Sequence, residues 1–148
     1  MLLHRFFFPS IEKMQKNKDV KGLIGTIRYY DSILYKSKKP KEVLENNRNA
    51  LNALIKIGAS ATPLLIQEFL NEKSNIRLVA LDILRQIGNP AAIPPLEKYL
   101  TDHLIDGYWI DTSVYSTLSS CGWKPKDIEM EIRYAIQNYY EIENIHIK

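Results

Sequence analysis

The chain has 148 residues, the length of one domain, and is 45% hydrophobic and 25% charged, the proportions of a packed globular protein. One cysteine, Cys121, excludes an internal disulfide framework and a multi-cysteine zinc cluster. Three scattered histidines, His4, His103 and His146, argue against a metal centre. The net charge of +3 is unevenly spread: residues 1–50 hold 11 Lys and Arg against 5 Asp and Glu, and the remainder is acidic.

Met1–Pro9 is apolar but short. It has no charged region ahead of its apolar stretch and no small-residue cleavage site, so it reads as part of the fold and the cytoplasm is the expected location. No apolar run approaches the ~18–20 residues that cross a bilayer, and no membrane partner is expected. Phe6, Phe7 and Phe8 are placed to seal one end of a core.

The first helix in chain order is expected at Asp19, a capping residue, with Val20, Leu23 and Ile27 as its stripe. Ser32–Tyr35 reads as a further helical turn. The basic run Lys36-Ser-Lys38-Lys39-Pro40-Lys41 follows, either a solvated linker or a holder of phosphate. Pro40 starts a helix to Ile57, its apolar face extended by Val43 and Leu44. Ala50, Leu51, Leu54 and Ile57 recur at three and four residues, and Gly58 ends that helix. Ser60 is expected to cap the next one, with Ile66, Phe69 and Leu70 inward.

The pattern then repeats. Ala80, Leu81, Leu84, Ile87 and Gly88 lie over Ala50, Leu51, Leu54, Ile57 and Gly58 without a gap, at an offset of thirty. Extended at the same offset, Ala61 falls on Ala91, Ile66 on Leu96, Phe69 on Tyr99 and Leu70 on Leu100. Asn89-Pro90 starts the second helix of this copy, and Pro94 and Pro95 sit where a missing N–H costs little. A third copy, Val114, Tyr115, Leu118 and Cys121-Gly122, follows at an offset of thirty-four, the extra residues falling in Asp102–Asp111. After Trp123-Lys-Pro125 a last helix is expected with Ile128, Ile132, Ala135, Ile136 and Tyr139, and Tyr134, Tyr139 and Tyr140 sealing the far end. A single helical pair cannot bury its own stripe, so the units must stack.

Asn75-Ile76-Arg77-Leu78-Val79-Ala80-Leu81-Asp82-Ile83-Leu84-Arg85-Gln86-Ile87-Gly88, followed by Pro90-Ala91-Ala92-Ile93-Pro94-Pro95-Leu96-Glu97-Lys98-Tyr99-Leu100, resembles the short HEAT-like repeat also seen in phycobilisome lyases. Asp19–Ile24 and Leu118–Pro125 are similar to segments of small prokaryotic HEAT-repeat proteins. The likeness is strongest over residues 47–102. It implies an all-α, right-handed α-solenoid of about four helical pairs: repeats at about 19–58, 59–88 and 89–122, an N-terminal cap over 1–18 and a C-terminal helix and cap over 123–148. It also implies that the second helix of each unit lines a concave surface.

No Gly-x-Ser-x-Gly, phosphate loop or His-Glu-x-x-His is present, so no catalytic residue, cofactor or metal is expected. Gly22-Leu-Ile-Gly25 lies inside an apolar helix, and Cys121 reads as a buried filler. Asp102, His103 and Asp106 in one loop are weak metal ligands; Tyr108 and Trp109 either pack back or offer a ligand edge, and Asp111 is expected to cap the next helix. The resemblance is specific for architecture and poor evidence for function; the expected function is a non-enzymatic scaffold that binds another protein through the concave face. Gln67 would align with Glu97 and Glu68 with Lys98 as solvent-facing rungs, flanked by Arg28 and Arg133. The alternatives are nucleic-acid or phosphate-surface binding through the basic N-terminal part, a DNA glycosylase built on Trp109, Asp111 and Trp123, or a bilin lyase-related enzyme.

Overall fold

The computed structural model describes residues 10–34, 41–103 and 108–126, and all regular structure among them is helical. The Phe6–Phe8 and Tyr134–Tyr140 seals, the last helix and Lys36–Pro40 lie outside the described residues. Among the described residues seven α-helices follow in order: α1 (Ile11–Lys16), α2 (Val20–Leu34), α3 (Lys41–Ile57), α4 (Thr62–Leu70), α5 (Arg77–Ile87), α6 (Ile93–Asp102) and α7 (Tyr108–Ser120).

Helix α1, not expected from the sequence, is started by Ser10, whose hydroxyl accepts the Lys13 N–H at 3.2 Å. Asp19 caps α2 as expected, accepting the Gly22 N–H at 2.9 Å. A Cβ at Gly22 would crowd the Asp19 carboxylate and lie 2.9 Å from the Met14 sulfur, so a larger residue there makes the capping and anchoring side chains shift. Helix α2 runs unbroken to Leu34 and takes in Ser32–Leu34 of the expected turn; Tyr35 lies outside the described residues.

The helices form two layers. Helices α3, α5 and α7 stack side by side in one; α2, α4 and α6 form the other, with α2 packed along α3, α4 along α5 and α6 against α7. The core lies between, and its residues are those of the repeating stripe: Ala50, Leu54, Ala80, Leu84, Val114 and Leu118 are all fully buried. Tyr115 and Cys121 are buried beside them. Leu44 departs from expectation. It stands exposed near the start of α3, so the apolar face narrows before the helix reaches its neighbours.

Each first-layer helix ends on a glycine in the left-handed region: Gly58 at φ 71°, Gly88 at φ 64° and Gly122 at φ 87°. A side chain there clashes with its own backbone, so glycine ends the helix and turns the chain into the second layer. The stretch Val43–Leu70 is long and apolar enough to cross a membrane by length and composition, but Gly58 divides it into α3 and α4.

The second-layer helices begin differently from the expected pattern. Gly58–Ala61 is a 3-10 turn, α4 starts at Thr62, and no side chain caps it, so Ser60 does not serve as its cap. Asn89 does cap, accepting the Ala91 N–H at 3.2 Å; its amide also donates to Thr62 Oγ1 at 3.0 Å, tying one inter-helix turn to the next. From Gly58 to the start of α4 is four residues; from Gly88 to the start of α6 is five. The copies therefore slip to an offset of thirty-one in the second layer. Ala61 matches Ala92, Leu65 matches Leu96, Phe69 matches Leu100, and the exposed prolines Pro63 and Pro94 coincide.

Candidate functional site

The one-residue slip reorganises the expected ladder. At one hundred degrees per residue, it rotates every side chain of α6 by more than a quarter turn relative to the gapless alignment. The aligned rungs become Gln67 with Lys98, both exposed, while Glu68 falls on the buried Tyr99 and Glu97 on the half-buried Ile66. The pairing of Gln67 with Glu97 and of Glu68 with Lys98 is thereby corrected.

Glu68 does not face solvent. It is 7% exposed, and its carboxylate accepts from the Arg28 guanidinium of α2 at 2.6 Å and from the Ser74 hydroxyl. Burial by itself pushes this carboxyl up; the hydrogen bonds from Arg28 and Ser74 and the charge of Arg28 outweigh it and hold the group below its ordinary value. Ser74 Oγ also accepts the Ile76 N–H at 3.2 Å, and Asn75 donates to Asp31 of α2 at 2.8 Å. Glu68 is thus a clasp between α2, α4 and the loop into α5. Arg28 remains half-exposed with its charge committed to this pair.

Glu97 is turned toward the chain that follows α7. It accepts Trp123 Nε1–H at 2.7 Å and Lys126 Nζ at 3.0 Å, and Trp123 is buried by the contact. Lys98 stands out in solvent, paired along α6 with Asp102 at 2.7 Å. Arg133 lies outside the described residues. Of the six residues expected at a binding face, Gln67 and Lys98 are exposed, Arg28 is half-exposed, and Glu68 and Glu97 serve the internal packing.

The structure adds two residues to that face. Leu64 and Leu70 of α4 are 36% and 45% exposed, and on the helical wheel Gln67 lies between them. Leu70 had been expected inward. The slip puts it in register with the exposed Thr101 instead of Leu100. The coincidence of Pro63 with Pro94 was the sequence signal for this register. Beneath the face, Phe69 and Tyr99 meet edge to face at 4.7 Å, and Arg77 lies over both rings while its Nε–H donates to the Phe69 carbonyl at 2.7 Å. The face is therefore carried on rigidly joined helices.

On the other layer, α5 and α7 enclose a cleft of about 140 Å³ lined by Leu78, Asp82, Arg85, Ser113 and Ser116. That is below the volume of an ordinary small-molecule site, and its charges answer each other, Asp82 accepting from Arg85 at 2.6 Å and from Gln86 at 2.9 Å. His103 stacks on Tyr99 and shares a hydrogen bond with its carbonyl at 2.9 Å; Asp106 lies outside the described residues. Asp111 falls within α7 and not at its cap; its side chain, with those of Tyr108 and Trp109, is outside the described residues.

Two stacked layers of short helices, with a left-handed glycine after each first-layer helix, define an all-α repeat fold among the described residues. Residues 76–102, spanning α5, the glycine turn and α6, match the PBS lyase HEAT-like repeat, which supports a HEAT-like repeat fold. Neither a curated protein nor a solved structure matches it.

Proposed function

We propose that this chain is a non-enzymatic scaffold that holds another protein on the outward face of its second layer, the face that a HEAT-type stack would curve around. The observation that carries this reading is the exposed Leu64–Gln67–Leu70 strip of α4 with Lys98 beside it on α6. Two leucines left in water on a helix whose other face is fully packed cost solvation that a partner's apolar side chains would relieve. A polar rim of Gln67, Lys98 and the half-exposed Arg28 around an apolar centre is the usual anatomy of a protein interface.

The test is affinity capture from the native cell with the intact chain and with a Leu64→Ser, Leu70→Ser double variant. A Leu78→Ser variant, altering the exposed leucine on α5 of the opposite layer, is the control. Partners retained by the control and lost by the double variant support the reading. Equal retention by all three chains sinks it.

A further inference from the structure

A second surface lies at the corner where α1 turns into α2. Lys13 and Lys16 are on α1, Lys18 is in the turn, and Lys21 is in the first turn of α2. All four are exposed, and none is in an ion pair among the described residues. Two carboxylates lie nearby, Glu12 and Asp19, the latter capping α2 through the Gly22 N–H, so four lysines stand against two acids and the corner stays net positive. Four cations elsewhere are paired: Arg28 with Glu68, Arg85 with Asp82, Lys98 with Asp102 and Lys126 with Glu97.

The corner is also rigid. Met14 anchors α1 in the core, and Asp19 and Gly22 fix the junction with α2. Lys18 holds the left-handed backbone at φ 52°, the single non-glycine residue to do so among those described. That conformation costs an ordinary residue energy that glycine or asparagine would spare, yet the position carries a cation.

We propose that this corner binds the phosphate backbone of double-stranded nucleic acid without reading its sequence. Lysines act as hydrated point charges suited to phosphates and supply none of the fixed fork geometry that recognises base edges. A protein partner is disfavoured by the company the lysines keep. No large hydrophobic residue between 10 and 21 is exposed, whereas protein interfaces are built around apolar and aromatic anchors and are poor in lysine. The same lack of an apolar wedge disfavours a membrane surface.

Four phosphate contacts release about four counterions' worth of salt dependence, a slope of log K on log salt of roughly −3.6, so affinity falls about 150-fold between 50 and 200 mM salt. The test uses the full chain, a fluorescent DNA duplex of arbitrary sequence and anisotropy titrations across that range. Replacing Lys13, Lys16, Lys18 and Lys21 with glutamine is expected to remove three to four units of slope, on the order of 0.9 per residue. Replacing all four with arginine is expected to keep it. A charge-matched control, with Lys56, Lys73, Arg85 and Lys124 changed to glutamine, is expected to keep it as well. Circular dichroism checks that each variant folds. An unchanged slope in the four-lysine variant overturns the proposal. So does equal competition by a polyglutamate peptide, which points to an acidic protein, or preferential binding to phosphatidylserine vesicles, which points to a membrane.

Discussion

Replacing Glu68 with glutamine keeps the size of a buried side chain and removes only its charge. In the native chain that carboxylate accepts from Arg28 at 2.6 Å and from the Ser74 hydroxyl. A hydrogen bond to a charged group contributes about 1.5–3 kcal/mol. Arg28 is half-exposed, so solvent screens its share, and the expected loss for Glu68→Gln at pH 7 is about 1–2 kcal/mol. For a chain of this size that corresponds to roughly 3–8 °C in melting temperature. The pH dependence has a definite sign. The folded carboxyl titrates below its ordinary value, so its contribution is complete above the unfolded value and is lost as pH falls through the folded one. Urea unfolding at several pH values should therefore show a constant gap between wild type and variant above about pH 5, closing in more acid solution. Combining Glu68→Gln with Arg28→Met should give a coupling energy on the order of 0.5–1.5 kcal/mol. A gap that is absent at pH 7, or that persists unchanged at pH 3, would refute the assignment of Glu68 as a charged clasp.

Leu54→Ala and Leu84→Ala, at equivalent fully buried sites of adjacent first-layer helices, should each destabilise by about 2–5 kcal/mol in urea melts; a cost below 1 kcal/mol at either site contradicts the stacked core. Gly88→Ala should cost more than Gly58→Ala. Both hold positive φ, a strain of about 1–2 kcal/mol for alanine, but only at Gly88 would the new Cβ also meet a neighbour, the Ser120 carbonyl at 3.1 Å. Equal melting temperatures for the two variants refute the close approach of α5 to the end of α7. Cys121 is buried, and burial pushes its thiol up. A thiol reagent at pH 8 should label it only as the fold opens, with the rate rising steeply in urea; rapid labelling of native protein places it at the surface.

Much of the architecture was legible from local pattern alone. Spacings of three and four residues, a glycine after each first-layer stripe and the aspartate at Asp19 identified the helices after α1 and the buried side of α2, α3, α5 and α7. They did so because helix periodicity, capping and the left-handed glycine are properties of a few consecutive residues. The face of α4 and α6 was not legible to the same degree. Both the gapless register and the slipped one place apolar residues inward, as Ile66 over Leu96 or Leu65 over Leu96, so hydrophobicity does not choose between them.

Sequence by itself determined that this is a helical repeat with a glycine-punctuated apolar stripe. Only the tertiary structure decided which charges are available at its surface. Asn89 adds one residue ahead of α6 and turns that helix, bringing Glu97 to Trp123; Arg28, forty positions away, draws Glu68 inside. The physical reason is that a helix's rotation, and the partner of a buried charge, are set by chain segments far apart in sequence, which the local pattern does not contain.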